Sequence, residues 1–295
     1  MLKTVWLTEQ KNIENGSVML LGGFDGLHVG HRRLLARAKQ SGFPVGLMTI
    51  VGGKEDDALF TFVEREDIFR TAGADFVFEL PFSEIKDLAP EDFLRILTEQ
   101  FYPKLFVCGE DFRFGAKAMG TPETIKRATH VCVDVQPLVQ LEGEKVSSRY
   151  IKKLLSDGAL EKANVLLGHN FFLNGEVFQD RRIGRTIGFP TANIEYPTGK
   201  HPIKKGVYET AVMLDGKDYI GITNYGSRPT FDNTRVLTET YLDGFDGDLY
   251  GRTLKVEFIR YLREVKKFDS VDALKTQLEE DIRTVRNHDQ IRPQR

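Results

Sequence analysis

The stretch Gly22-Gly23-Phe24-Asp25-Gly26-Leu27-His28-Val29-Gly30-His31 constrains this chain more than any other. It follows an apolar run, Val18–Leu21, and precedes Arg32–Lys39, whose spacing puts Leu34, Leu35 and Ala38 on one side of a helix. A strand that passes into a helix through glycines opens a βα unit. Glycines let the backbone approach a phosphate, and a helix N-terminus favours an anion. His28 and His31 bracket the first helical turn, where imidazoles can donate to phosphate oxygens as charge develops on them. Two readings compete. H-x-x-H is also a metal spacing, but no further Cys, His or carboxylate stands at a recognisable ligand distance. A plain glycine-rich turn with two exposed histidines is the other. The strand-to-helix context places phosphate binding ahead of both.

The pattern recurs. Val45–Ile50, Phe76–Leu80, Leu105–Cys108 and Val131–Val135 read as further buried strands, with helical segments between them. Thr61-x-x-Glu64 is a capping-box spacing, and Thr121-Pro122-Glu123 is a cap followed by proline at the first helical position. Strands alternating with helices predict an α/β domain with a doubly wound parallel sheet, which binds ligands beyond its strand C-termini. The rhythm changes near Gly168. Glu209–Leu214 and Tyr219–Thr223 flank Asp215-Gly216, a two-residue hairpin signal, and Leu254, Val256 and Phe258 alternate with Lys255 and Glu257. Asp246-Gly247-Asp248 and Tyr250-Gly251 mark a turn before that strand. This half reads as a small antiparallel β-barrel or sandwich closed by a helix, with Ser270 as cap and Leu274, Leu278, Ile282 and Val285 on one face. One or two helices across Ser147–Leu167 join the halves, and the expected domains are residues 1–157 and 158–295.

A chain of 295 residues is long enough for two such domains. Its 41 Lys+Arg against 43 Asp+Glu exclude a chain-wide basic surface, so no nucleic-acid partner is expected. No apolar run is long enough to cross a bilayer, and the N-terminus has no signal-peptide core, so no membrane partner is expected either. Two cysteines, Cys108 and Cys132, argue for structural thiols in a reducing compartment. The expectation is a cytoplasmic protein, monomeric or weakly homo-oligomeric.

Four more segments carry candidate chemistry. Ser147-Ser148-Arg149-Tyr150-Ile151-Lys152-Lys153 sets two hydroxyls at a helix start with cations in the next turn. By itself this is an ordinary cap and a solvated face; beside the histidine motif it becomes a second wall for a triphosphate. Gly109-Glu110-Asp111-Phe112-Arg113-Phe114-Gly115 follows a strand end, with Phe112 and Phe114 readable as loop anchors or as ligand contacts. Gly184-Arg185-Thr186-Ile187-Gly188-Phe189-Pro190-Thr191-Ala192-Asn193 could present Thr191 and Asn193 to Mg²⁺ and phosphate, or form only a proline turn. Glu239, between Thr238 and Thr240 in a strand, is either a general base or a solvent-facing carboxylate.

Together these motifs resemble the bacterial bifunctional riboflavin kinase/FMN adenylyltransferases (prokaryotic FAD synthetases), over nearly the whole chain and in the family's order. GGFDGLHVGH, GEDFRFG and the serine pair match the adenylyltransferase half. IGRTIGFPTAN, KKGVY, NYGSRPTF, TETYLDGFDGDLYG and LREVKKF match the kinase half. The resemblance implies a Rossmann-like domain followed by a six-stranded flavokinase barrel with a C-terminal helix. It also implies two reactions: riboflavin and ATP to FMN, then FMN and ATP to FAD and pyrophosphate. His28 and His31 would contact the ATP phosphates. Gly23, Phe24, Asp25 and Gly30 would shape that pocket, Ser147, Ser148 and Lys152 would close it, and Gly109, Asp111 and Arg113 would line it. In the kinase half Thr191 and Asn193 would hold Mg²⁺–ATP, and Glu239 would deprotonate riboflavin. Gly184, Arg185, Gly188, Pro190, Tyr208 and Asn224 would bind nucleotide or flavin there.

Three departures from the family pattern stand out. Arg149 and Lys152 replace the Thr and final Arg of S-S-T-x-I-R. Thr49-Ile50-Val51-Gly52-Gly53-Lys54 replaces a T-F-D/E-P-H-P stretch. Asp180 stands where many relatives have Gly. The alternatives these leave are a riboflavin kinase with a slow or retired adenylyltransferase half, and a non-catalytic flavin- or nucleotide-binding regulator.

Overall fold

The computed structural model describes residues 3–52, 57–179, 189–229 and 234–291. The chain divides into two compact units. One comprises Met1–Ile151, Leu166–Gly168 and Gly199–His201; the other comprises Lys152–Val165, His169–Thr198 and Pro202–Arg295.

The first unit runs β1 (Lys3–Trp6), β2 (Ser17–Leu21), α1 (Val29–Lys39), β3 (Val45–Val51), α2 (Phe62–Thr71), β4 (Phe76–Pro81), α3 (Phe82–Ile85), α4 (Pro90–Phe101), β5 (Pro103–Gly109), α5 (Pro122–Ala128), β6 (Cys132–Gln136), β7 (Gln140–Leu141) and β8 (Glu144–Lys145). The main sheet has the order β1-β4-β3-β2-β5-β6. Strands β2 to β6 are parallel, and β1 adds an antiparallel edge on β4. All five expected strands form. Strand β2 is buried along its whole length, as a central parallel strand covered on both faces must be. The order reverses between β2 and β5, because the chain winds outward through β3 and β4 and returns to the other side for β5 and β6. Such a reversal opens a crevice at the strand C-termini.

The capping signals are realised. The Thr61 amide donates to Glu64 Oε2 at 2.8 Å while the Glu64 amide donates to Thr61 Oγ1. Thr121 and Thr124 make the same reciprocal pair at α5, with Pro122 at its first position. Five elements of this unit were not expected: β1, α3, α4 and the short pair β7 and β8. Helix α4 buries Phe93, Leu94, Leu97 and Phe101, with the Phe101 ring 4.4 Å from that of Phe78. In β3, Gly46 is required by close approach: a Cβ there would lie 2.2 Å from the Phe76 ring. Residues Gly199–His201 bridge to Ala58 and carry Lys200, whose side chain is fully buried against the Glu64 carboxylate and 4.6 Å from the centre of the Phe60 ring. Burial outweighs the attraction of Glu64 and holds the Lys200 ammonium below the ordinary lysine pKa. Cys108 is buried, with its thiol pushed up to about 11, and Cys132 is exposed; both are free.

Two helices, α6 (Ser148–Asp157) and α7 (Leu160–Leu167), precede the strands of the second unit: β9 (Phe171–Glu176), β10 (Thr191–Glu195), β11 (Gly206–Leu214), β12 (Lys217–Pro229), β13 (Thr234–Leu242) and β14 (Thr253–Arg263). They form one antiparallel sheet in the order β10-β13-β12-β11-β14-β9. The sheet curls so that the Phe178 amide, just past β9, bonds the Asn193 carbonyl of β10 at 3.0 Å. Asp215 and Gly216, at φ 51° and 79°, make the expected two-residue turn between Leu214 and Lys217. Leu254, Val256 and Phe258 of β14 face the core, with Lys255 and Glu257 half-buried between them. The Oγ1 atoms of Thr210, Thr223 and Thr240 form a ladder across β11, β12 and β13, with both steps at 2.8 Å.

The final helix, α8 (Val271–Ile291), is capped by Ser270, whose Oγ accepts from the Ala273 amide. Its Ile282 and Val285 pack on Val207 and Ile222, while Leu274 and Leu278 are half-buried. Arg263 grips Asp281, and the buried Glu209 carboxylate accepts from His288 and Arg260. Among the described residues, no helix is long and apolar enough to cross a membrane.

Candidate functional sites

The glycine-rich stretch leaves β2 at the reversal of strand order and ends in α1. Its residues Gly22, Gly23, Phe24, Asp25, His28, Gly30 and His31 line a cavity of about 530 Å³. His28 is the N-cap of α1, and its Nδ1 accepts from the His31 amide at 3.2 Å. His31 Nδ1 lies 2.9 Å from the Gly26 carbonyl oxygen. The two imidazoles stack with centroids 3.6 Å apart, and the Phe24 ring meets His31 edge-on. Burial, reinforced by the neighbouring His31, drives the His28 pKa down to about 2. Burial also lowers His31 to about 4, against the opposing pull of Gly26 and Asp111. Both rings are therefore neutral near pH 7. Asp25 has a structural role as well, accepting from the Leu59 amide at 2.9 Å.

The opposite wall comes from the end of β5 and from the β7–β8 hairpin. Gly109, Asp111, Phe112 and Arg113 reach the cavity, and Lys145 pairs with Asp111. Phe112 stacks on Phe114; only Phe112 borders the cavity, so Phe114 is the loop anchor. Ser147 Oγ accepts from the Tyr150 amide at the start of α6, and Ser147 and Ser148 complete the wall. Lys152 is not part of that wall; it is half-buried and belongs to the second compact unit. Met48, Ile50, Pro137, Leu138, Val139 and Lys145 line the cavity without having been singled out. Met48 lies midway along β3 and Ile50 near its end, within the apolar run that also reads as a buried strand.

In the second unit, two cavities among the described residues carry candidate site residues. One, of about 110 Å³, is lined by Pro190, Thr191, Asn193, Thr240 and the loop Phe245–Tyr250. The other, of about 410 Å³, is lined by Lys205, Asn224, Ser227, Glu239 and Glu264. Strand register relates them: Glu239 of β13 stands directly opposite Asn193 of β10 on one side and Asn224 of β12 on the other. Directly opposed residues share a sheet face. Both Asn193 Oδ1 and Asn224 Oδ1 are buried with no hydrogen-bond partner among the described residues. Glu239 is half-buried and borders the larger of these cavities.

Tyr208 stands apart from the other expected kinase residues. It is 1% exposed in the barrel core, its hydroxyl donates to the Lys204 carbonyl, and it borders neither cavity. Its bulk and alternate-position spacing on β11 belong to packing. Asp180, Gly184, Arg185 and Gly188 lie outside the described residues. Lys205, Ser227 and Glu264 were missed individually, although each falls inside a motif already noted.

Comparison with known proteins accords with this geometry. A family model described as FAD synthetase matches residues 10–150, and one described as riboflavin kinase matches residues 167–288. The bifunctional riboflavin kinase/FMN adenylyltransferase of Bacillus subtilis (strain 168) is 32% identical, over 95% of this chain and 96% of its own. That of Escherichia coli (strain K12) is 32% identical over 92% and 93% respectively. A crystal structure described as a macrolide-efflux protein from Streptococcus pneumoniae superposes with a TM-score of 0.85 at 31% identity, covering 92% of this chain and 94% of that one. With both half-chain models in order and relatives of this identity spanning nearly its full length, the chain belongs to the bifunctional riboflavin kinase/FMN adenylyltransferase family.

Proposed function

We propose that the cavity of the first unit is the FMN adenylylation site and that the two cavities of the second unit are parts of the riboflavin kinase site, with residues 1–157 and 158–295 as the two enzymes. What carries this reading is the separation of chemistry between them. A helix N-terminus and two imidazoles line the first cavity. In the second unit a carboxylate stands between two amide oxygens that have no hydrogen-bond partner among the described residues; it borders the larger cavity, and one of those amides, Asn193, borders the smaller.

In the kinase, Glu239 accepts the proton of the riboflavin 5′-hydroxyl as that oxygen attacks the γ-phosphorus and ADP leaves. Thr191 and Asn193 suit Mg²⁺, a cation that takes a few oxygen ligands alongside phosphate; the orphaned Asn193 Oδ1, on a side chain 7% exposed, fits that task. When bound, the ion neutralises phosphate charge. In the adenylyltransferase, a phosphate oxygen of FMN attacks the α-phosphorus of ATP and pyrophosphate leaves. That nucleophile is already an anion and needs no base, so His28, His31, Ser147 and Ser148 act by orienting and by stabilising charge. The partners are small molecules, namely riboflavin, FMN, FAD and ATP, with no nucleic acid or membrane. The protein works in the cytoplasm as a monomer or weak homo-oligomer. A kinase with a retired adenylyltransferase half is disfavoured, because the full-length relatives are named for both activities and the histidine pair is intact here.

The test is incubation with riboflavin, ATP and Mg²⁺, with FMN and FAD separated by chromatography. Glu239→Gln is expected to slow FMN formation by about 10²–10⁴-fold and leave adenylylation of supplied FMN intact. His28→Ala with His31→Ala is expected to let FMN accumulate while FAD formation falls by roughly 10²-fold or more. Parental rates in both variants would place the chemistry elsewhere.

A further inference from the structure

The two motif histidines are chemically unlike. His28 Nδ1 accepts a backbone N–H, so its proton stands on Nε2. His31 Nδ1 faces a carbonyl oxygen, which has no hydrogen to give, so the His31 proton stands on Nδ1. The nitrogen left to face the cavity is then an N–H donor on His28 and a bare lone pair on His31. A phosphate oxygen is an acceptor and repels a lone pair. His31 can meet one only if it gains a second proton, or if it moves its proton to Nε2 and breaks the bond to Gly26. The second route sets two lone pairs against each other at 2.9 Å in a half-buried loop. His28 cannot take the extra proton instead, because a hydrogen on its Nδ1 would face the His31 amide hydrogen and undo the cap of α1.

We propose that nucleotide binding in the first cavity captures one proton on His31, so that His28 holds the triphosphate as a neutral donor and His31 as an imidazolium. The charged groups around His31 fit this. Asp111, from the loop after β5, attracts an imidazolium and favours the second proton, while Lys145 of the hairpin and Arg113 border the same cavity and oppose it. Asp25 lies in the glycine stretch itself, and the stacked His28 allows one charge on the pair and disfavours two. Without ligand, burial keeps the His31 pKa at about 4 and the ring neutral. A triphosphate brings the negative charge that reverses this balance.

This inference rests on the adenylyltransferase reading, and the experiment separates the two. The ¹⁵N-labelled full chain is studied by long-range ¹H–¹⁵N NMR at pH 7.5, alone and with Mg²⁺ and α,β-methylene-ATP, with His31→Gln used to assign the resonances. The free protein is expected to show His28 protonated on Nε2 and His31 on Nδ1, and the complex to show His31 protonated on both nitrogens. Calorimetric titration in buffers of different ionisation enthalpy should find about one proton taken up per nucleotide that His31→Gln no longer takes up. The apparent Kd of the parent should rise toward tenfold per pH unit where uptake is complete. His31 remaining bare on Nε2, or shifting its proton to Nε2 with no net uptake, overturns the proposal while FAD still forms. Absence of FAD formation from FMN and ATP overturns the adenylyltransferase reading itself.

Discussion

Replacing Lys200 by Met should unfold the first unit more easily than almost any other single change in it. The Lys200 and Glu64 side chains are 0% and 1% exposed and paired with each other. Removing the cation leaves a buried carboxylate without the charge that balances it, a loss of about 3–5 kcal/mol. The contact with Phe60 adds roughly 0.5–2 kcal/mol, part of which Met retains by packing. Trp6, the only tryptophan, packs 5.1 Å from Phe76 in the first unit, so its fluorescence reports that unit's unfolding. With a urea dependence of about 2 kcal/mol per M, the midpoint should drop by roughly 2 M. The decisive arm is the double variant Glu64→Gln with Lys200→Met. Gln keeps the acceptor that the Thr61 amide uses in the capping box and carries no charge to strand. The double variant should therefore recover most of the loss. A single variant costing less than about 1 kcal/mol, or a double variant no better than the single, would refute the argument.

Two further outcomes are expected. Because His28 and His31 are depressed to about 2 and about 4 from 6.5, the unfolded chain binds their protons first as pH falls. Stability of the first unit should decline below pH 6.5 by up to about 1.4 kcal/mol per pH unit for each imidazole, and His31→Gln should flatten that limb in urea titrations followed through Trp6. Gly46→Ala should destabilise the same unit by about 1–3 kcal/mol, since its Cβ would meet the Phe76 ring at 2.2 Å; an unchanged urea midpoint would contradict the packing described.

Much of this fold is legible in the sequence because its signals are local. Apolar runs bounded by turn residues became β2 to β6, and Thr61-x-x-Glu64 became a capping box. Helix α4 escaped although Pro90 marks its start, because Phe93, Leu94 and Leu97 acquire meaning only against Phe78 and Phe114. The site divides in the same way. The histidines, serines and Glu239 stand in compact motifs. The Asp111–Lys145 pair joins residues 34 apart, and Glu64–Lys200 joins residues 136 apart, distances no period or cap can announce. Tyr208, inside the KKGVY motif, is 1% exposed in the core, a placement the motif itself does not announce.

The threonine ladder of the second unit has a sense of direction. Each hydroxyl has one hydrogen to give. If Thr223 accepted from both neighbours, its own hydrogen would point into a fully buried region, where an unmet donor costs about 1–3 kcal/mol. Three hydroxyl hydrogens serve two bonds, so one of them is met outside the ladder: that of Thr210 or Thr240 when the bonds run head to tail, that of Thr223 when both converge on it. Thr240 belongs to the wall of the smaller cavity, whereas Thr210 lies two strands away, beside the buried Glu209. When Thr223 donates to Thr240, the Thr240 hydrogen is the one left for the cavity; when Thr240 donates to Thr223, the cavity meets its oxygen alone.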